Sequence, residues 1–133
     1  MSGLESLSLT VLPGTFAICR LDPSAPLPAW AETGTLRSAT RTPTELSIVC
    51  RDDAVPSDVT SNRGWRAIAV DGTLDFALTG ILACLAAPLA AAGISIFAIA
   101  THDTDYVLVK ADTLARAVSA LSAAGHRVSE PAS

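Results

Sequence analysis

Charge is scarce in this 133-residue chain, where only 17% of residues are Asp, Glu, Lys or Arg. Lys and Arg number 9 against 13 Asp and Glu, a net charge of −4. That shortage of basic residues excludes a phosphate-backbone partner, because affinity for nucleic acid comes from clustered Lys and Arg. Half of the residues are apolar, which excludes disorder, since disordered chains combine low hydrophobicity with high net charge. There are three cysteines, Cys19, Cys50 and Cys84, each in an apolar stretch and none in CxxC spacing. They read as buried reduced thiols of a cytosolic protein, with neither a disulfide nor a zinc role. Residues 1–14 carry no basic n-region and no apolar h-region, so no signal peptide is expected and the localisation reads as cytoplasmic. Walker and GxGxxG loops are missing, as is any Ser/His/Asp or Cys/His spacing for nucleophilic catalysis. Neither catalysis nor a cofactor is expected. No metal is expected either, because the turn holding His102, Asp103 and Asp105 supplies too few ligands and His126 has no close acidic neighbour.

The longest stretch without charge, 76–100, is long enough to raise a membrane span. Pro88 interrupts it, Gly93 follows a run of alanines, and the flanks (Asp71 and Asp75, Asp103 and Asp105) are acidic on both sides. No Lys/Arg asymmetry is left to orient a span. Within the run, 80–92 is rich in Ala and Leu, whereas Ile94-Ser95-Ile96-Phe97-Ala98-Ile99 is β-branched. The run reads as a buried helix, a glycine stop and a buried strand.

Period and punctuation predict strands at 7–12, 16–21, 36–42, 45–51, 66–70, 94–101, 106–110 and 126–128. Residues 22–28 hold three prolines and read as a loop, with one helical turn at Trp30; 53–62 reads as a loop or short helix. A first helix is predicted over 79–92, with Thr79 as N-cap, Gly93 at its end and a kink at Pro88. Asp112 is predicted to cap a second helix with Leu114, Ala117, Val118 and Leu121 on its apolar face and Gly125 as its stop.

From Arg66 onward the order is strand, helix, strand, strand, helix, strand, the split βαβ or ferredoxin-like unit. The front half echoes it. Val70-Asp71-Gly72-Thr73-Leu74 matches Leu12-Pro13-Gly14-Thr15-Phe16 at an offset of 58, and the segments opening on Asp105 and Glu45 match at 60. Gly125-His126-Arg127 matches Gly64-Trp65-Arg66 at 61. Three echoes in order favour a tandem duplication. The expected fold is α+β, with two ferredoxin-like units in tandem (1–63 and 64–133) and antiparallel sheets. In the first unit the Pro-rich loop replaces helix one. The strand at 64–70 matches both a closing and an opening strand, which predicts that the units share or exchange strands.

The stretches Thr44-Glu45-Leu46-Ser47-Ile48-Val49-Cys50, Gly64-Trp65-Arg66, Asp71-Gly72-Thr73-Leu74-Asp75-Phe76-Ala77-Leu78-Thr79-Gly80-Ile81-Leu82, Gly93-Ile94-Ser95-Ile96 and Thr101-His102-Asp103-Thr104-Asp105-Tyr106 resemble the ACT domain family of small-molecule-sensing regulatory modules. More narrowly, they resemble the tandem ACT units of the eukaryotic cytosolic arginine sensors, though with two units in place of four. The resemblance implies a non-catalytic sensor of an amino acid, arginine by analogy, bound at the interface of the two ACT units. It implies ligand contacts from Ser47 and Ile48 on the first unit and from Gly80, Ile81, Thr101 and Asp105 on the second. The downstream partner would be a regulated protein of unknown identity.

These residue types suit those roles. The start of a helix at Thr79-Gly80 offers free N–H groups and a positive dipole end to an α-carboxylate, and Thr79 can cap or donate. Asp105 can pair with an ammonium or a cationic side chain. Thr101 precedes it by four residues across a tight turn, and Ser47 supplies a polar contact from the other half. Blander readings exist for each: a plain helix start, a turn acid, ordinary strand residues. The competing functional reading is a structural or interaction module that dimerises without a ligand. A homodimer is expected on either reading, because open sheets leave edges to cover.

Overall fold

The computed structural model describes residues 6–72 and 80–130. In chain order its strands are β1 (Ser8–Val11), β2 (Phe16–Leu21), β3 (Ser38–Arg41), β4 (Leu46–Arg51), β5 (Thr60–Val70), β6 (Ile96–Ala100), β7 (Asp105–Lys110) and β8 (Arg127–Ser129). The helices are α1 (Ile81–Ala91) and α2 (Leu114–Ala123), and short 3-10 turns occupy Ala29–Ala31, Asp52–Ala54 and Ala111–Thr113. Two compact units emerge: Met1–Leu12 with Arg66–Ser133, and Pro13–Trp65. The repeat predicts 1–63 and 64–133. The difference lies in β1, which belongs with the second half of the chain, and in β5, whose residues are divided between the units.

In the Pro13–Trp65 unit the strand order is β3-β4-β2-β5, antiparallel throughout. Alternation puts Ala17, Cys19, Leu46, Ile48 and Cys50 on one face, where they form a core with Ala31 and Val55. The Pro-rich loop stands where a helix would cover this face, and its 3-10 turn contributes Ala31 and Trp30 to the packing. At β5 the register slips between Phe16 and Ile18, so that Arg63 and Gly64 together oppose the single residue Ala17. Gly64 has φ 81, a conformation that favours glycine at a bulge. Arg63 donates to the carbonyls of Asp52 (2.6 Å) and Val55 (3.0 Å), which ties the 3-10 turn to the bulge.

Burial pushes the Cys19 thiol up to about 11, with the neighbouring Cys50 adding to the shift, and burial raises Cys50 as well. A thiolate is the reactive form. In the native protein at pH 8, Cys84, the half-buried thiol, should therefore react first with an aromatic disulfide reagent. Cys19 and Cys50 should wait for unfolding; mass-spectrometric counting of labels against time checks the order.

In the other unit the order is β6-β7-β5-β1-β8. Strand β1 is antiparallel to β5 and parallel to β8, so the sheet is mixed where a fully antiparallel one is expected. Both helices pack on one face, over Leu9, Val11, Ile68, Val70, Val107 and Val109. Leu85 and Leu89 of α1 and Ala117 and Leu121 of α2 are fully buried against them. Each buried Leu of this kind contributes roughly 1.5–3 kcal/mol. Glycine ends both helices as the sequence predicts. Gly93 and Gly125 have φ 74 and 101. The amide of Gly93 donates to Ala90 and that of Ile94 to Leu89; Gly125 donates to Ser122 and His126 to Leu121. These are paired Schellman closures.

The second one fixes His126. Its ring is buried (6% exposed), Nδ1 accepts the Leu7 amide at 3.1 Å, and Nε2 lies 3.3 Å from the Cys84 carbonyl. In an unbroken helix that carbonyl would receive the amide of residue 88, but Pro88 has none. The imidazole supplies the missing donor, which assigns its proton to Nε2.

Three local expectations are corrected. Gly80, not Thr79, is the N-cap of α1; Thr79 lies outside the described residues. Asp112 does not cap α2, which starts at Leu114 after a 3-10 turn, and the Thr113 hydroxyl donates to the Lys110 carbonyl at 2.8 Å. Strand β5 starts at Thr60, not Arg66, because its polar first half forms an edge of its own unit and shows no apolar alternation. Among the described residues no helix is long and apolar enough to cross a membrane.

Candidate functional site

One end of the β6-β7-β5-β1-β8 sheet collects most of the predicted site residues. Strand β5 leaves it at Val70, β6 arrives at Ala100, and β7 departs at Asp105. Thr104 binds these together: its buried hydroxyl donates to the Val70 carbonyl at 2.7 Å. The first turn of α1 stands at the same end. Its Cys84 carbonyl meets His126, which meets Leu7, and the adjoining Ser8 carbonyl accepts the Asp71 amide at 2.9 Å. Asp71 also accepts the Thr10 hydroxyl at 2.7 Å, a contact across the β1–β5 pair; Asp75 lies outside the described residues.

Gly80 is exposed and left-handed, with φ 82 and ψ 2, and no side chain among the described residues caps α1. The amides of the helix's first turn lack an intrahelical acceptor by geometry. Ile81 belongs to the core at 6% exposed, so what it offers at this end is its backbone. Asp105 pairs with Ala100, and alternation places it on the face of Val107 and Val109, the face on which both helices pack. It is half-buried, and no hydrogen bond or ion pair engages its carboxylate among the described residues. A positive helix end and a lone acid thus share one end and one face of a sheet. Together they can receive the two ends of a zwitterion.

Thr101 lies across the tight turn from Asp105, directly after β6. Its hydroxyl donates to the Thr104 carbonyl (2.9 Å) and accepts the Thr104 amide (3.3 Å), so it closes the turn and is spent there. His102 and Asp103 pair with each other at 3.0 Å on the exposed tip of that turn. Among the described residues no group of three or more His, Cys, Asp or Glu side chains is arranged to hold a metal.

Ser47 and Ile48 belong to the Pro13–Trp65 unit. The Ile48 side chain is fully buried in that unit's core, which leaves only its backbone for a ligand. Ser47 lies on the opposite face, in a polar row with Thr40, Arg20 and Thr60 on neighbouring strands. Arg20 and Thr104 are polar residues that sequence patterning does not single out. Cross-strand register is the signal for the first; for the second it is the repeat of threonine across a four-residue turn. Arg66 offers no signal in the sequence beyond its motif. Among the described residues its buried Nε finds no acceptor, and its guanidinium donates to the Leu12 carbonyl at 3.3 Å.

Comparison with known proteins agrees with this architecture. Residues 60–123 match the ACT domain, and residues 14–58 match a second description, an N-terminal domain. Protein Atu0741 from Agobacterium tumefaciens is 38% identical over 96% of both chains, with a TM-score of 0.91. The chain belongs to the same family as Atu0741, and its residues 60–123 carry the match to the ACT domain. At the level of fold alone it is similar to VC0802 from Vibrio cholerae, described as a protein of unknown function and possible transport protein (22% identity, 92% of both chains, TM-score 0.73). The regulatory subunit of aspartate kinase from Thermus thermophilus also shares the fold (15% identity, 85% of this chain and 93% of that one, TM-score 0.58). A search of curated proteins finds no match.

Proposed function

We propose that this chain is a non-catalytic regulatory protein that senses an amino acid through the end of the sheet where α1 begins. The observation that carries the reading is Asp105: a half-buried carboxylate without a partner among the described residues, at the same end of the sheet as a helix start that no side chain among those residues caps. The α-carboxylate goes to the amides of the first turn of α1, and the ammonium or a cationic side chain goes to Asp105. The fold shared with a regulatory subunit of aspartate kinase supports a regulatory role. The resemblance to arginine sensors makes arginine the first ligand to test. Free cysteines, two of them buried, suit a reducing cytoplasm. The repeat is supported by strand order: β3-β4-β2-β5 in one unit corresponds to β6-β7-β5-β8 in the other, with β1 inserted before β8. The bound state would be read by a regulated protein.

The test is thermal unfolding against a panel of amino acids. A ligand at a hundred times its Kd stabilises by about 2.7 kcal/mol, which raises Tm by several degrees. Arginine or a close relative should produce that rise. A flat panel at millimolar concentration defeats the reading and favours the second one, a ligand-free dimerising module, for which the uncharged β6 strand speaks.

A further inference from the structure

At one edge of the Pro13–Trp65 unit, β3 pairs only with β4 among the described residues. The register fixes which of its backbone groups face outward. The Thr42 amide donates to the Glu45 carbonyl at 2.9 Å, and antiparallel pairs alternate between bonded and unbonded. Thr40 with Ser47 is therefore a bonded pair, whereas Ala39 with Ile48 and Arg41 with Leu46 are unbonded. Ala39 and Arg41, both exposed, turn their amides and carbonyls to the open side. No backbone group takes them up among the described residues.

The side chains of the same residues border a cavity. Ala39 and Arg41 lie opposite Ile48 and Leu46, so they share the core-bearing face, over which the Pro-rich loop stands. Between that loop and the strand opens a cavity of about 160 Å³, lined by Leu27, Ala31, Glu32, Arg37, Ser38 and Ala39. Cavities of roughly 150 Å³ hold a benzene-sized group. One charge in its wall is already balanced, since Arg37 donates to the Glu32 carbonyl and lies 3.7 Å from the Glu32 carboxylate. Arg41 is not. It donates to the Pro23 carbonyl, and no carboxylate engages it among the described residues. From Thr33 to Thr44 the chain carries two arginines and no acid, although its net charge is −4.

We propose that β3 receives an extended acidic peptide segment of another protein, which adds an antiparallel strand to this edge and lodges an aliphatic side chain in the cavity. The spacing follows from the strand. The peptide residue opposite Ala39 exchanges both backbone hydrogen bonds with it and, by alternation, turns its side chain to the cavity face. The residue two places earlier stands opposite Arg41 on the same face, where a carboxylate pairs with the guanidinium. The motif that the edge reads is therefore acidic-x-aliphatic, in which backbone pairing supplies affinity and the two side chains supply choice. A second copy of β3 fits badly, because pairing about Ala39 sets Arg37 against Arg41. The proposal uses the Pro13–Trp65 unit alone and holds whether or not an amino acid binds at the start of α1.

The test is titration calorimetry of the full chain with a capped heptapeptide of serine and threonine that carries glutamate at its second position and leucine at its fourth. Binding at micromolar concentration is expected. Its Kd should rise roughly tenfold or more when serine replaces the leucine, and by a similar factor when lysine replaces the glutamate. Arg41→Glu should invert the second preference, so that the lysine peptide binds the variant roughly tenfold tighter than the glutamate peptide does. A damaged fold cannot produce that inversion. Ala39→Pro, which removes an outward amide and none from the β3–β4 ladder, should weaken the glutamate peptide roughly tenfold. The proposal is overturned by absence of binding at millimolar peptide, by equal affinity for the leucine and serine peptides, by an unchanged preference in Arg41→Glu, or by full affinity in Ala39→Pro.

Discussion

Replacing Asp105 with alanine should abolish the rise in Tm that an amino-acid ligand produces, while leaving the Tm of the free protein almost where it was. The second half follows from the side chain's isolation. Asp105 has no hydrogen bond or ion pair to lose among the described residues, and substitutions that remove no specific interaction usually stay within about 0.5 kcal/mol. The first half follows from what a bound cation would leave behind. Losing one partner of a hydrogen-bonded charge pair costs roughly 2–5 kcal/mol in binding, at least about a thirtyfold rise in Kd. Titration calorimetry of Asp105→Ala and Asp105→Asn separates charge from shape. The Asn variant keeps the volume and an acceptor oxygen but loses the charge, so it should bind nearly as poorly as Ala. Wild-type affinity in either variant would remove Asp105 from the site and with it the zwitterion geometry.

Much of this fold was legible because local chemistry dictated it. Gly93 and Gly125 sit where a helix must reverse into a left-handed residue, and both helices close there through the same pair of bonds. The alternation in 16–21 was readable because Ala17 and Cys19 face a core while Ile18 and Arg20 do not. What failed was partnership. Alternation says which face a strand buries, not which strand lies beside it, so nothing in Leu7 to Leu12 revealed that β1 would lie between β5 and β8. Polar edges hide as well: Thr60 to Asn62 read as part of a loop or short helix because neither face carries an apolar row.

The candidate site shows the same division. Side-chain chemistry suggested Gly80 and Asp105, and the structure sets both at one end of one sheet. Thr101 and Ile48 had suitable types, but the hydroxyl of the first is consumed by its own turn and the side chain of the second by its own core. A sequence names donors and acceptors without saying which are already spent.

His126 tests how tightly that end is braced. Its buried ring satisfies two backbone groups at once, the Leu7 amide and the Cys84 carbonyl orphaned by Pro88. The His126→Ala variant strands both. Each buried unsatisfied group costs about 1–3 kcal/mol, so this variant should be less stable by roughly 2–6 kcal/mol, measured by urea denaturation. Pro88→Ala provides the discriminating partner. The alanine introduced there brings an amide that can reach the Cys84 carbonyl in ordinary helical geometry, taking over half of the imidazole's work. The double variant should therefore lose less than the sum of the single effects, with a coupling of about 1–2 kcal/mol. Strict additivity would mean that the ring and the proline act independently, and that the carbonyl finds another donor when His126 is gone. A coupled result would explain why a proline can sit inside α1: its missing bond is supplied from the end of α2, which locks the helix carrying the candidate ligand seat to β1 and β8.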